Sequence, residues 1–227
     1  MNLTDKIVLA HKGFFNKDAE KIYKENSKEV CRISSGKDYI SIIELDVRKS
    51  KDGILYCYHG SFIEYYFSLR ISRKFTDIKK KYGVDSLAEI LQVIAEDKIL
   101  LLDIKDKTIT KADILGALKG RKFKEVVLGN TSSSTSFLNH FNDMPEGFVK
   151  IMNGNIFCKF YDLKKLKEKK YGYFEVVFPF QISRKIIENA STNGLKFSCA
   201  PLFFLSKESY LRKINKYNIK RISSDFI

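Results

Sequence analysis

Short apolar segments recur along the whole chain, and their regular spacing is the feature that most restricts the fold. Each holds three to six residues rich in Val, Ile, Leu and aromatic side chains. Segments of this length and composition, separated by longer polar stretches, predict buried strands rather than short helices. The eight predicted strands cover residues 7–10, 42–47, 99–104, 126–128, 148–152, 174–178, 195–199 and 221–223.

Amphipathic stretches with a helical period lie between several of these strands. One carries apolar residues at 87, 90, 91 and 94, and another at 182, 186, 187 and 190, where Asn193-Gly194 gives a helix stop. Alternation of strand and helix predicts a parallel sheet with right-handed crossovers, and eight repeats favour a closed TIM-type (β/α)8 barrel of the α/β class. A doubly wound open sheet is the alternative.

The length agrees with one barrel. The chain has 227 residues, and barrels of this class run about 200–250 residues as one domain. No linker, internal repeat or low-complexity tract divides it, so we expect a single domain over residues 1–227. One segment departs from the alternation of strand and helix. Lys51-Asp52-Gly53 is a turn signal, and residues 54–58 predict a hairpin strand that leads to His59.

Charge and cysteine content limit the partners and the compartment. The net charge of +14 agrees with anionic ligands of several kinds, but the chain has no arginine-rich arm, zinc-finger spacing or RNP-like motif, so we expect no dedicated nucleic-acid binding. The four cysteines form no Cys-x-x-Cys pair, which favours free thiols in a reducing compartment. No signal-peptide or membrane-span pattern occurs, so a cytoplasmic location is expected.

Polar side chains interrupt or end the first predicted strands, where barrel enzymes carry their functional groups. Glu44 and Asp46 lie two residues apart and therefore share one strand face, and Asp103 and Lys105 repeat this spacing. Buried carboxylates need compensation. Glu44, Asp46 and Asp103 could hold a divalent cation such as Mg²⁺ or Ca²⁺, which oxygen ligands suit. A structural salt bridge from Lys12 or Lys105 is the alternative.

Two of the three histidines follow predicted strands. His11 follows the first strand and His59 follows the hairpin strand, both close to the predicted carboxylate cluster. His140, in Phe137-Leu138-Asn139-His140-Phe141, has no such neighbours and is expected on the surface of a loop or helix. A single histidine at a strand end commonly has a structural role. A pair beside a carboxylate cluster favours acid and base catalysis on a phosphate, because imidazole both donates and accepts protons near neutral pH.

Several of these motifs together resemble the glycerophosphodiester phosphodiesterase family of phospholipase-C-like barrels. The similarity is strong in residues 7–60 and 86–105 and weaker from 106 to 220. The similar blocks are Ala10-His11-Lys12-Gly13, Glu25-Asn26-Ser27, Glu44-Leu45-Asp46-Val47-Arg48, Lys51-Asp52-Gly53 with His59, Ser86-Leu87-Ala88-Glu89-Ile90-Leu91, Asp103-Ile104-Lys105 and Ile222-Ser223-Ser224-Asp225-Phe226.

The resemblance implies a metal-dependent phosphodiesterase that releases a phosphomonoester of the glycerol 3-phosphate type and an alcohol. It implies that His11 and His59 are the catalytic acid and base. It also implies that Lys12 and Lys105 contact phosphate oxygens, while the three carboxylates bind the metal. Attack by water and attack by a neighbouring substrate hydroxyl, which gives a cyclic phosphate first, both agree with these residues.

The chain departs from the family pattern at four positions. Lys12 replaces Arg, Asp103 replaces Glu, Gly60 stands where an Asp usually follows the second histidine, and Ala200 falls where Trp is common. Related sphingomyelinase D enzymes carry Asp at the position of Asp103. Two alternatives therefore remain: a sphingomyelinase-D-like phosphodiesterase acting on lipid or cell-surface glycan, and a catalytically idle phosphate-binding module on the same fold. The oligomeric state is left open.

Overall fold

Eight parallel strands pair edge to edge in a closed ring. The structure, a computed structural model, describes residues 6–60, 73–130, 135–154, 162–176, 182–199 and 206–226. The strands follow the order β1-β9-β8-β7-β6-β5-β4-β2, and pairing of β1 with β2 closes the barrel. The strands are β1 Ile7–Ala10, β2 Ile40–Lys49, β3 Leu55–Cys57, β4 Ile99–Ile104, β5 Glu125–Gly129, β6 Phe148–Gly154, β7 Tyr171–Val176, β8 Lys196–Cys199 and β9 Arg221–Ser223.

Helices connect the strands. In the described part of the chain they are α1 Lys28–Ser35, α2 Phe75–Tyr82, α3 Leu87–Leu91, α4 Lys111–Ala117, α5 Thr135–Leu138, α6 Leu163–Glu168, α7 Arg184–Thr192 and α8 Lys207–Lys216. Short 3-10 helices span His11–Gly13, Lys17–Lys21, Asn139–Phe141 and Ser224–Phe226. Polar caps start most of these helices; at α3, for example, Ser86 accepts from the Glu89 N–H and the Glu89 carboxylate accepts from the Ser86 N–H. None of the described helices has the length and apolarity needed to cross a membrane.

The fold confirms the predicted barrel and excludes the doubly wound open sheet, because β1 and β2 are the two ends of the parallel strand order and pair with each other, whereas an open sheet leaves its two end strands unpaired. Strand β3 runs antiparallel to the end of β2, as the turn at Lys51-Asp52-Gly53 predicts. Strands β1, β4 and β9 have the predicted bounds, and the other strands differ from the prediction at one or both ends. Strand β2 extends to Lys49 because β3 pairs with its last residues, and β7 begins at Tyr171, where two tyrosines alternate with Gly172.

Alternate residues of each strand face opposite sides of the barrel wall. The outer side packs against the helices as a large apolar core that includes Ile43, Leu102 and Phe174. The inner side is filled by a smaller apolar group: Leu9, Ile42, Ile99, Leu101, Val127, Ile151 and Tyr173. At the amino-terminal end of the strands the Tyr173 hydroxyl donates to Glu125, which also pairs with Lys196. The inner apolar group therefore fills the barrel toward the amino-terminal ends of the strands, and polar side chains occupy the carboxyl-terminal end of the barrel.

Candidate active site

Three carboxylates meet on the inner face of the barrel above the apolar group. Glu44 and Asp46 lie on β2, and Asp46 pairs in register with Asp103 on β4. Each contributes one carboxylate oxygen to a set in which all the oxygens lie within 4.8 Å of one another. Glu44 is 5% exposed and Asp46 is 2% exposed. The shared strand face predicted from the spacing therefore brings this cluster together.

Lys105 follows β4 and neutralises part of the cluster. Its ammonium lies 3.0 Å from Asp46 Oδ1 and 2.5 Å from Asp103 Oδ2. Burial opposes the charge of this ammonium, but the carboxylates of Asp103 and Asp46 outweigh burial and raise the pKa of Lys105. The salt bridge considered as an alternative to a metal is thus present. The ammonium contacts two of the three carboxylates, but its single positive charge offsets only one negative charge.

The pKa of Glu44 shows how unfavourable a further negative charge is within this cluster. Burial, together with the neighbouring charge of Asp46, raises the pKa of Glu44 to about 8. Its Oε2 accepts a hydrogen bond of 2.6 Å from the backbone N–H of Lys12, a neutral donor. By contrast, the pKa of Asp46 is lowered, because the Lys105 ammonium and other favourable contacts outweigh its burial. A positive charge bound beside Glu44 would therefore favour the ionised form of its carboxylate.

The turn after β1 brings the Lys12 N–H to Glu44. Lys12 adopts a left-handed conformation with φ of 52°, and Gly13 follows with φ of 81°. A Cβ on Gly13 would lie 2.8 Å from Cys31 Sγ, so only glycine allows this close approach to α1. The Lys12 ammonium pairs with Glu25 at 3.1 Å. The side chain expected to contact phosphate therefore has a carboxylate partner in this structure.

Asn26 holds Asp46 in place from both sides. Its Nδ2 donates to Asp46 Oδ2 at 2.8 Å, and its Oδ1 accepts from the Asp46 backbone N–H at 2.9 Å. Asn26 is buried and has a left-handed φ of 55°, and its own N–H donates to the Lys12 carbonyl. Asn26 stands in the Glu25-Asn26-Ser27 motif, from which no role was predicted for it. The asparagine links the turn after β1 to the carboxylate cluster.

His11 is oriented by the last part of the chain. Its Nδ1 lies 3.0 Å from Asp225 Oδ2, and its backbone N–H donates to Ser224 Oγ. Burial lowers the pKa of His11, but the hydrogen bond to Asp225 and the charges of Glu44 and Asp46 outweigh burial and raise it to about 9. The contact at Nδ1 leaves Nε2 as the ring nitrogen that can serve a ligand.

The surroundings of His59 shift its pKa downward, in the opposite direction to the pKa of His11. Burial lowers the pKa of His59, and the nearby ammonium groups of Lys12 and Lys105 act in the same direction, while Asp46 opposes them. Arg48 fixes the backbone here, since its guanidinium donates to the carbonyls of Tyr58 and His59. At neutral pH the raised pKa of His11 and the lowered pKa of His59 favour a protonated His11 and a neutral His59.

The donor set fits a hard divalent cation. Three carboxylates converge, one ammonium offsets part of their charge, and burial together with the charge of Asp46 raises the pKa of Glu44. Oxygen ligands of this kind are those that Mg²⁺ and Ca²⁺ take. Glu44, Asp46 and Asp103 would hold such an ion.

The structure brings most of the predicted site residues to one end of the barrel. These are His11, Glu44, Asp46, Asp103, Lys105 and, at the hairpin, His59. Two further residues of the motifs, Asn26 and Asp225, contact predicted site residues, but no role was predicted for either. Of the departures from the family pattern, Gly60 has a left-handed φ of 87°, which suits glycine. Ala200 lies outside the described residues.

The sequence matches no protein-family model and no curated protein. Solved structures match it over nearly its whole length. A glycerophosphodiester phosphodiesterase from Thermotoga maritima has a TM-score of 0.71 at 22% identity, covering 97% of this chain and 95% of that chain. A putative glycerophosphodiester phosphodiesterase from Galdieria sulphuraria has a TM-score of 0.76 at 17% identity, covering 97% and 94%.

A third similar structure holds a ligand. It is a phosphodiesterase from Oleispira antarctica in complex with the product sn-glycerol-3-phosphate, with a TM-score of 0.70 at 14% identity, covering 96% of this chain and 92% of that chain. The closed barrel described above is thus the architecture expected from the sequence resemblance. The chain has the fold of the glycerophosphodiester phosphodiesterases.

Proposed function

We propose that the protein is a metal-dependent phosphodiesterase that cleaves a glycerophosphodiester or a similar small phosphodiester. The main support is the cluster of Glu44, Asp46 and Asp103, of which the first two are buried and the third is partly buried. The cluster lies at the same end of the barrel as His11. The products would be an alcohol and a phosphomonoester. The sn-glycerol-3-phosphate bound to the Oleispira antarctica phosphodiesterase supports a product of this type.

The chain offers positive charge for the phosphate group. Lys105 is buried against Asp46 and Asp103, so its ammonium is held at a fixed place beside the proposed metal ligands. Lys12 pairs with Glu25 and would turn from this carboxylate toward a bound phosphate. Glu44, Asp46 and Asp103 would hold a divalent cation, which would supply Lewis-acid stabilisation of the charge that develops on phosphoryl oxygens.

The two imidazoles would divide the proton transfers. Asp225 and the carboxylate cluster favour a proton on His11, while burial and two ammonium groups favour a neutral His59. We therefore assign His59 as the base that accepts a proton from the attacking hydroxyl. His11 is the acid that protonates the leaving alkoxide as its bond to phosphorus breaks. The attacking hydroxyl belongs to water or to the substrate, and a cyclic phosphate forms only in the second case.

Hydrolysis of bis(p-nitrophenyl) phosphate with Mg²⁺ or Ca²⁺ tests the assignment. We expect turnover by the wild type and its loss, by at least about 100-fold, in His11→Ala and in His59→Ala. His140→Ala is the matched control, because His140 is exposed on a short 3-10 helix and contacts Phe137. Wild-type rates in both strand-end variants would show that the imidazoles are not the acid and base.

The same assay separates the proposal from its main rival. A phosphate-binding module without activity would bind inorganic phosphate but release no p-nitrophenol under any metal condition. A screen of glycerophosphodiesters, lysolipids and sugar phosphodiesters would detect a sphingomyelinase-D-like preference. We also propose a reducing, cytoplasmic location, supported by the buried free thiols of Cys31, Cys57 and Cys199.

A further inference from the structure

Most of the excess positive charge of the chain lies on one side of the barrel. The segments that carry α6, α7 and α8 are residues 162–170, 183–196 and 206–220, and they contain 13 lysines and arginines but only four aspartates and glutamates. These segments therefore hold +9 of the net charge of +14. We call the outer surface of these three segments the basic flank.

The basic flank is continuous because its helices are neighbours around the barrel. Helix α6 precedes β7, α7 precedes β8 and α8 precedes β9, and these three strands are adjacent in the ring. Each helix packs apolar side chains, such as Leu166, Ala190 and Ile214, into the outer core. The charged side chains lie on the other side of the helices: all 13 cations are exposed except Lys213, which is partly buried.

The opposite side of the barrel carries no such excess. Helices α2 and α3 precede β4, which is diametrically across the ring from β8. Residues 73–97, which include both helices, contain five lysines and arginines and five aspartates and glutamates. The positive charge is therefore concentrated on one flank instead of being spread evenly over the surface.

Ion pairs within the basic flank do not neutralise it. Asp162 pairs with Lys165 at 3.6 Å, and Glu188 pairs with Arg184 at 2.9 Å. Four negative charges offset at most four of the 13 positive ones, so the excess of +9 remains when every carboxylate of the flank is paired. A surface with this excess attracts an anionic partner.

The composition of the basic flank favours a broad anionic surface over a nucleic acid. Eleven of its 13 cations are lysines, whose ammonium groups act as point charges and lack the planar fork of arginine. The exposed large hydrophobic residues of the described chain are Ile22 and Ile54, and neither lies on the flank, so bases have no exposed group there on which to stack. The anionic headgroups of a bilayer form a wide negative surface that attracts clusters of lysine.

We propose that the basic flank binds the surface of membranes that contain anionic lipids. The association is electrostatic and reversible, because the flank has no exposed large hydrophobic side chain to insert into the bilayer. Each lysine close to the bilayer should strengthen binding by about fivefold. This inference goes beyond the proposed function and does not depend on it, since the flank lies on the outside of the barrel.

Co-sedimentation with lipid vesicles, carried out in chelator, tests the proposal. We expect the wild type to sediment with vesicles of phosphatidylcholine that contain about 30% phosphatidylglycerol, but not with vesicles of phosphatidylcholine alone. The bound fraction should fall as the salt concentration rises, because salt screens charges at a surface. The chelator prevents divalent cations from bridging the carboxylate cluster and the lipid headgroups.

A charge-neutralising variant locates the binding surface. Lys164→Gln, Lys185→Gln and Arg212→Gln, combined in one protein, remove one exposed cation from each helix of the basic flank. Two adjacent helices of a curved flank can approach a flat bilayer together, so this variant should bind at least about tenfold more weakly than the wild type.

A matched control removes the same charge from the opposite side of the barrel. It combines Lys74→Gln, Lys80→Gln and Lys81→Gln, which change three exposed lysines in or next to α2. Because these lysines lie away from the flank, the control should bind within about twofold of the wild type.

Each result supports or overturns the proposal. Equal sedimentation with neutral and anionic vesicles, or none with either, would overturn it. Equal weakening in the two triple variants would show that net charge alone controls binding and would also overturn it. Binding to a DNA duplex but not to anionic vesicles at about 0.15 M salt would assign the flank to nucleic acid instead. The comparison of vesicles needs no variant and no catalysis, so its failure is distinguishable from failure of the proposed function.

Discussion

Replacing Asp225 by Asn should lower the pKa at which His11 releases its proton. The substitution keeps the side-chain shape and an oxygen acceptor but removes the charge that lies 3.0 Å from His11 Nδ1. Burial disfavours the charged imidazole, yet the Asp225 hydrogen bond and the carboxylates of Glu44 and Asp46 raise the pKa of His11 to about 9. The difference from 6.5 corresponds to at most about 3.4 kcal/mol.

Asp225 should supply a substantial share of this energy. A hydrogen bond to a charged group contributes about 1.5–3 kcal/mol, so the pKa of His11 should fall by about one to two in Asp225→Asn. A raised pKa in the folded protein stabilises it fully below pH 6.5, and this contribution disappears as the pH rises toward about 9. The loss of folding stability over that interval should therefore be shallower in Asp225→Asn.

Histidine side-chain NMR in the presence of a chelator measures both quantities on the metal-free protein. The three histidine signals can be assigned with His59→Ala and His140→Ala, and urea unfolding at several pH values gives the stability slope. A His11 signal that titrates identically in wild type and Asp225→Asn would refute the reasoning. So would an unchanged dependence of the free energy of unfolding on pH.

Three further substitutions test the supports of the site. In chelator at pH 7, Glu44→Gln should raise the free energy of unfolding by up to about 3 kcal/mol. The reason is that a carboxyl whose pKa is raised to about 8 in the folded protein costs stability as the pH rises above 4.5. With added Mg²⁺, thermal melts should instead show the wild type to be more stable than Glu44→Gln. Asn26→Ala should weaken Mg²⁺ binding by about 10–100-fold in calorimetry, since Asp46 loses both bonds to the amide. Gly13→Ala should destabilise the protein by more than about 1 kcal/mol in urea unfolding, because φ is 81° and the new Cβ meets Cys31 Sγ; an unchanged midpoint would contradict the close approach.

The barrel was predictable because its strands are short, apolar and separated by helical patterns. The common face of Glu44 and Asp46 followed from the strand period alone. Asn26 lies 20 residues before Asp46, and Asp225 lies far along the chain from His11. Both contacts form only when the strands have paired in the barrel, so the sequence alone does not reveal them.

The most direct test of the account is the dependence of phosphodiester cleavage on metal, followed by ³¹P NMR with glycerophosphocholine. The purified protein should convert the diester signal to that of sn-glycerol 3-phosphate, with or without a transient cyclic phosphate. Removal of divalent cations by a chelator should stop the conversion, and Mg²⁺ or Ca²⁺ should restore it in the wild type but not in Glu44→Gln. Cleavage that continues unchanged in chelator would contradict the metal site, and absence of cleavage across the whole diester screen would contradict the proposed function.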